Sequence, residues 1–252
     1  MTPVVIVGTG HAGYAAAREF RKHDTTTPLA LVTADDGTSY TKPMLSNAFA
    51  RGKTPADLAQ ASAEEMAGQL DARIMTQSRV TAIDAETRTL YFADGDELEA
   101  QRIVLGIGAH QIDPHLPGDG ADDVLAVNDL EAYATAREAL ENAHRVVLIG
   151  GGLIGCEFAN DWVGAGYEVT MIEPCDWPMG TMLPETAGAH LRRALGDAGV
   201  NVLCGRAATA VERGDDELVV RDDTDATHAA DVVVRALGLR PNTALAAAAG
   251  LE

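Results

Sequence analysis

Two stretches of the chain repeat one pattern: a run of apolar, mostly β-branched residues, a glycine-rich turn, apolar positions at helical spacing, and a second apolar run. The first copy reads Pro3-Val-Val-Ile-Val7, then Gly8-Thr-Gly10-His-Ala-Gly13, then a predicted helix from Tyr14 to Lys22 and a strand Leu29-Ala-Leu-Val32. The second reads Arg145-Val-Val-Leu-Ile149, Gly150-Gly-Gly152-Leu-Ile-Gly155, a predicted helix from Cys156 to Val163, and Glu168-Val-Thr-Met-Ile-Glu173. The two sets of glycines stand 142 residues apart. Each copy is the opening of a βαβ unit.

Between the copies, alanine-rich spacing predicts a helix over residues 56–70, followed by short strands at Arg73–Met75, Val80–Asp84, Thr89–Phe92 and Arg102–Leu105. Residues 110–120, with two prolines and two glycines, read as a linker, and Leu130–Glu141 as a helix leading into the second unit. Beyond that unit the pattern predicts a helix over Pro184–Ala198, a strand at Asn201–Leu203, a polar hairpin within Val211–Arg221 that turns at Gly214-Asp-Asp, and a last clear strand at Asp231–Arg235. Asn242–Glu252 reads as a short helix-like piece that stops mid-domain.

Composition narrows the class. A length of 252 residues suits one large or two modest domains, and 46% hydrophobic with 23% charged residues is the composition of a globular protein rather than a disordered or fibrous one. The formal net charge of −19 argues against a polyanionic partner such as nucleic acid. The longest apolar run, Val146–Cys156, is interrupted by three glycines and falls short of the roughly 20 residues a membrane helix needs. The N-terminus lacks a secretory pattern, and Cys156, Cys175 and Cys204 form neither a CxxC pair nor an even framework, so a reducing cytoplasmic setting is expected.

The loops carry the chemistry. In a G-x-G-x-x-G turn the first glycine permits the tight exit from the strand, the second lets backbone approach a pyrophosphate, and the third allows close helix-to-strand packing. The phosphate then faces the positive end of a helix. Gly8, Gly10 and Gly13 fill these places in the first loop, with His11 and Ala12 between them, and Gly150, Gly152 and Gly155 fill them in the second, with Ile154. An acid about 20 residues on binds the adenosine ribose. Glu173 satisfies this in the second unit, where its charge would repel the extra phosphate of NADP and Pro174-Cys175-Asp176 offers no arginine, so NAD is expected there. In the first unit Thr33 stands at that position, followed by Ala34 and then Asp35 and Asp36, so either Asp35 or backbone serves the ribose, or the segment is an ordinary turn.

With both loops placed, the chain resembles the flavoprotein reductases that carry two dinucleotide-binding folds, one for FAD and an inserted one for a nicotinamide nucleotide. Within that group it looks most like the rubredoxin reductases, through Val32-Thr-Ala-Asp-Asp-Gly37, Ser39-Tyr-Thr-Lys-Pro-Met-Leu45, Gly152-Leu-Ile-Gly-Cys-Glu-Phe-Ala-Asn160 and Gly238-Leu-Arg-Pro-Asn242. The likeness runs over the whole chain. It implies an α/β fold of two Rossmann-like three-layer domains: an FAD-binding part over residues 1–113, an NAD-binding domain over 114–242 inserted into it, and the start of the returning FAD segment over 243–252. The later segment that holds the flavin's ribityl chain and the C-terminal interface domain are not in the sequence, as expected of a fragment or a partial record of a longer enzyme.

The resemblance also implies roles. Lys42 would stand beside the flavin, where a cation stabilises the negative charge gained on reduction. Glu157 would reach the nicotinamide and flavin rings and could pair with Lys42; alternatively it is a carboxylate placed favourably on the first turn of a helix. Val80 would lend its backbone to the adenine of FAD, Thr33 and Ala34 would line the same site, Ile103–Ala109 would close it, and the loop of Gly238 and Asn242 would lie along the nicotinamide nucleotide. Disulfide reductases of this group carry a C-x-x-x-x-C pair near the first helix, and here that region holds Tyr40-Thr-Lys-Pro. The implied reaction is hydride transfer from NADH to FAD and single-electron delivery to rubredoxin, in service of a process such as alkane hydroxylation. The alternatives are a ferredoxin reductase or NADH oxidase of the same group, or a nucleotide-binding fragment without activity. No metal site is expected.

Overall fold

The computed structural model describes residues 1–251 and divides into two compact units. Among these residues the first comprises 1–41, 58–110 and 240–251, and the second 42–57 and 111–239.

In the first unit, β1 (Val4–Val7) is followed by α1 (His11–His23) and β2 (Leu29–Val32). After β3 (Ser39–Tyr40), the stretch expected as one helix over residues 56–70 is broken into α2 (Pro55–Leu58), β4 (Ala59–Ala61) and α3 (Ala63–Leu70). Two interactions override the alanine-rich helical propensity. Strand β4 pairs antiparallel with β3, and Ser62 starts α3 with a capping box, its hydroxyl accepting from Glu65 N at 3.2 Å and its own N–H donating to Glu65 Oε2 at 2.8 Å. The strands β5 (Arg73–Met75), β6 (Val80–Asp84), β7 (Thr89–Phe92), β8 (Glu97–Glu99) and β9 (Arg102–Leu105) complete the order.

The parallel sheet has the order β5-β2-β1-β9, so β1 is central, with Val5 opposite Ala30 on one side and Ile103 on the other. All four β1 residues are buried because both faces of the sheet are covered. Val4 and Ile6 meet Tyr14, Ala17, Leu29, Leu31, Met66 and Leu70 from the helix side, while Val5 and Val7 meet Leu90, Phe92 and Ala100 on the side of the antiparallel sheet β6-β7-β8. This period-two alternation yields three layers from one strand.

The second unit repeats the plan. Strand β10 (Ala109–Gln111), which begins in the first unit, runs into the segment expected as linker, and α4 (Leu130–Leu140), β11 (Arg145–Ile149), α5 (Leu153–Gly164), β12 (Glu168–Glu173), α6 (Glu185–Ala198) and β13 (Asn201–Cys204) follow. The expected hairpin is β14 (Ala208–Arg213) and β15 (Leu218–Asp222), and β16 (Thr227–Ala230), which the pattern did not predict, adds a third antiparallel strand before β17 (Val232–Arg235). The parallel order is β13-β12-β11-β17, with Val147 opposite Thr170 and Val233. Val147, Ile149, Ile172 and Val233 pack with Val211, Val220 and Ala230 of the antiparallel layer.

Residues 42–57 group with the second unit because Phe49 is seated there. Its ring lies 4.8 Å from Tyr133, 6.5 Å from Phe158 and 5.8 Å from Trp162, all edge-on, and Phe158 stacks on Trp162 at 4.8 Å. Burying aromatic side chains of this size contributes about 1.5–3 kcal/mol each and their edge contacts add to that. The chain returns through β18 (Leu239–Pro241) to α7 (Ala244–Ala248). Of the helix-like piece expected over residues 242–252, residue 252 lies outside the described residues. Among the described residues, no helix is long and apolar enough to cross a membrane.

Candidate functional site

Each parallel sheet ends in a glycine loop at the C-terminal edge of its central strand, and the two loops have the same backbone. Gly8 and Gly150 both adopt φ +107°, a left-handed conformation that an L side chain rarely takes. Gly10 caps α1 at φ −70°, ψ −171° and Gly152 caps α5 at φ −70°, ψ −172°. In both loops the third glycine lies against the carbonyl of the first: a Cβ on Gly13 would run into Gly8 O, and one on Gly155 into Gly150 O. Gly8 in turn backs onto the Gly106 carbonyl at the end of β9, which places the expected closing turn of Ile103–Ala109 against the first loop.

The middle glycines differ in kind. A Cβ on Gly10 or Gly152 would meet nothing within 4 Å, so the space before both helices is open. No side chain caps either helix, and the first intrahelical bonds run from Tyr14 N to Gly10 O at 3.0 Å and from Cys156 N to Gly152 O at 2.9 Å. The N–H groups of the first turn before these donors have no partner within the helix. An open cradle, a helix N-terminus and an uncapped first turn suit a pyrophosphate. His11 and Ala12 are exposed at the start of α1, and Ile154 is half-buried in the corresponding turn of α5.

The carboxylates that follow the two loops are held differently. In the second unit Glu173, 7% exposed at the end of β12, accepts from Gly151 N at Oε2 (2.5 Å) and from Cys175 N at Oε1 (2.8 Å). In the first unit Thr33 directly follows β2 and donates to Asp35 Oδ1 at 2.5 Å; that oxygen also accepts from Gly37 N at 2.9 Å and Thr9 Oγ1 at 3.3 Å. Ala34 is exposed beside them. Both units therefore bring one carboxylate to the residue between the first and second glycines of the loop.

A second constellation lies wholly in the second unit. Residues Lys42–Asn47 form a 3₁₀ turn. Ser46 Oγ donates to Glu157 Oε2 on α5, and one turn further along that helix Asp161 accepts from Phe49 N at 2.7 Å and Ala50 N at 3.3 Å. Glu157 and Asp161, four residues apart on one helix face, thus grip residues 46–50. Asp161 is buried, and burial raises its carboxyl above the ordinary range against the opposing pull of the two N–H donors. Lys42 is half-buried, which lowers its ammonium below the usual lysine range, with the Asp129 carboxylate opposing. Glu157 is hydrogen-bonded to Ser46 rather than to Lys42.

The remaining expected residues sit at element ends. Val80 opens β6, opposite Phe92, and packs against the core of the first unit. Gly238 adopts φ +96°, and its carbonyl accepts from Ile112 N at 3.1 Å. Asn242 belongs to the first unit, donating to Ile107 O at 2.8 Å and meeting His110 Nδ1 at 2.7 Å. Cys156 Sγ donates to Gly151 O at 3.3 Å, and burial, with the Glu173 charge adding, pushes its thiol up to about 12, so it is a packed rather than a reactive cysteine. Sequence reading missed Ser46, Asp161 and Gly151. Only the i, i+4 spacing of Asp161 from Glu157 could have singled one of them out.

Fold and loops together define a chain with two dinucleotide-binding units, and the residues present fit two dinucleotides. The chain belongs to the pyridine nucleotide-disulphide oxidoreductase family, whose profile matches residues 2–252, a class of FAD- and NAD-dependent oxidoreductases. It is 44% identical over 253 residues to a rubredoxin-NAD(+) reductase of Alcanivorax borkumensis, covering 100% of this chain and 66% of that protein. It is 38% identical over 259 residues to one of Acinetobacter baylyi, with the same coverage. A ferredoxin reductase of Rhodopseudomonas palustris superimposes with a TM-score of 0.91 at 29% identity, over 100% of this chain and 62% of that one. The chain thus spans just under two thirds of the length of the curated relatives it matches.

Proposed function

We propose that this chain is the dinucleotide-binding part of an NADH-dependent reductase that supplies electrons to a small carrier protein of the rubredoxin type. The observation that carries the reading is the pair of open glycine cradles on equal backbones, one of them followed by the buried Glu173 carboxylate. The 44% identity to a rubredoxin-NAD(+) reductase supports rubredoxin as the acceptor, and delivery to alkane hydroxylation is one use of such a carrier.

In this reading the first cradle (Gly8, Gly10, Gly13, with His11 and Ala12) binds the pyrophosphate of FAD, while Asp35, steadied by Thr33, takes its ribose and the segment near Ala34 and Val80 takes its adenine. The second (Gly150, Gly152, Gly155, with Ile154) binds the pyrophosphate of NADH, and Glu173 accepts from the ribose hydroxyls through the lone pairs its two backbone bonds leave unused. FAD, when bound, takes up two electrons with the hydride and gives them out singly. Lys42 holds a positive charge whose partial burial makes it effective over a short range. Glu157, oriented by Ser46, faces the nicotinamide end of the second cradle, and Gly238 leaves room along the same nucleotide.

The test is an anaerobic titration of the FAD-reconstituted chain with NADH, followed by flavin absorbance. Stoichiometric bleaching, with turnover on added rubredoxin, is the expected result. Retained flavin that NADH does not bleach would overturn the reading, and faster turnover on ferredoxin or oxygen than on rubredoxin would reassign the acceptor.

A further inference from the structure

The two copies of the loop form an internal comparison at the residue between the first and second glycines. Where that residue is Thr9, the strand that follows is succeeded by the short Thr33, and the carboxylate comes from Asp35 two residues later. Where it is Gly151, the strand ends in Glu173, whose long side chain folds back onto the loop.

The geometry explains the pairing. A Cβ on Gly151 would lie 3.1 Å from both Cβ and Oε2 of Glu173 and 2.9 Å from Met171 Sδ. These separations are below ordinary van der Waals contact, so a neighbour would have to move. Met171 is fully buried in the sheet, whereas Glu173 ends its strand and carries the crowded oxygen at the far end of a rotatable side chain. A methyl at Gly151 would crowd the carboxylate oxygen that the Gly151 N–H holds at 2.5 Å.

We propose that Gly151 is the residue that makes the second site selective for NADH over NADPH, by seating the Glu173 carboxylate. This rests on the reading of Glu173 as the ribose acceptor. Gly151 is a positioning residue: it acts through Glu173, and the loop would bind pyrophosphate without it.

The experiment measures Kd for NADH and NADPH by calorimetry on the full chain in the wild type, G151A, E173A and the double variant. In G151A, loss of the seated, charge-assisted contacts lowers the preference for NADH about tenfold, mainly through weaker NADH binding. The double variant matches E173A, because Gly151 acts through that carboxylate. Equal weakening of both nucleotides in G151A, unchanged selectivity, or additive effects in the double variant would overturn the inference. Unchanged selectivity in E173A would instead overturn the reading of Glu173 on which it rests. Independently of whether G151A folds, the Gly151 amide proton of the wild type is expected downfield in an NMR spectrum and to move upfield in E173Q; an amide indifferent to E173Q would show that the grip does not exist.

Discussion

Ser46 and Glu157, 111 residues apart in sequence, are joined by a hydrogen bond from the serine hydroxyl to one carboxylate oxygen. The bond aims a carboxylate on the first turns of α5 and fixes the 3₁₀ turn that carries Lys42. Removing the hydroxyl in S46A is expected to cost about 1.5–3 kcal/mol of stability, the range for a hydrogen bond to a charged group. Urea unfolding would measure it. S46T, which keeps the donor, should restore most of the loss, and failure of that rescue would mean that volume rather than the bond matters at this site.

Asp161 makes a separate prediction one helical turn away. D161A leaves the buried N–H of Phe49 without its acceptor and should destabilise by about 1–3 kcal/mol. D161N, which keeps an acceptor oxygen and removes a buried charge, should lose distinctly less. Amide exchange at Phe49 provides the local readout: its protection should fall in D161A and persist in D161N.

The glycines of one loop separate folding from binding. G13A places a methyl against the Gly8 carbonyl, so the backbone must shift, and the protein should lose about 1–3 kcal/mol or more. G10A meets nothing within 4 Å and should change stability by no more than about 1 kcal/mol, the scale of an N-cap exchange. Its methyl enters the open cradle instead, so flavin retention after gel filtration should fall while the melting temperature barely moves. A G10A protein that keeps its flavin as the wild type does would show that the phosphate lies elsewhere.

Two groups shape the pH profile from opposite ends. Tyr14 is buried, donates to Gly37 O at 2.5 Å, and is pushed up to about 12 by burial, with Asp35 adding. Unfolded tyrosine ionises near about 10. The contribution is therefore complete below that value and is lost as pH rises toward 12, because the unfolded chain gives up its proton first. For Asp231, burial works against the charge, but the N–H groups of Arg145 and His144 and the Arg145 guanidinium at 2.6 Å outweigh it and hold the carboxyl down at about 2. With an unfolded value near about 3.9, its contribution is present above that pH and is lost as pH falls toward 2. Denaturation midpoints measured across pH should show the alkaline limb flatten in Y14F and the acid limb flatten in D231N.

The glycine loops and central strands were legible because their signals are local: an apolar run, a turn that demands glycine, and a helical period, all within about 30 residues. The same reasoning placed Glu173 but not its grip on Gly151, since a side-chain conformation at a strand end leaves no periodic trace. It joined α2, β4 and α3 into one helix because alanine favours helix locally, whereas β4 is held by Ser39 and Tyr40, some 20 residues earlier. It missed β16, whose Thr-His-Ala-Ala carries little strand preference and which exists because β15 offers it an edge. The seating of Phe49 among Tyr133, Phe158 and Trp162 joins residues more than 80 positions apart, and no window along the chain contains both sides of that contact.

In both loops the tightest fit is peptide against peptide: the third glycine lies against the carbonyl of the first, nearer than any side chain. The backbone turn is consequently the same with different residues between the glycines. Thr9 and Gly151, His11 and Leu153, Ala12 and Ile154 differ in size or polarity, yet the corresponding caps agree to within a degree. Such a cradle can be re-lined for a new ligand without being re-shaped, and an ancestral gene that doubled this segment would have been free to specialise each copy at once.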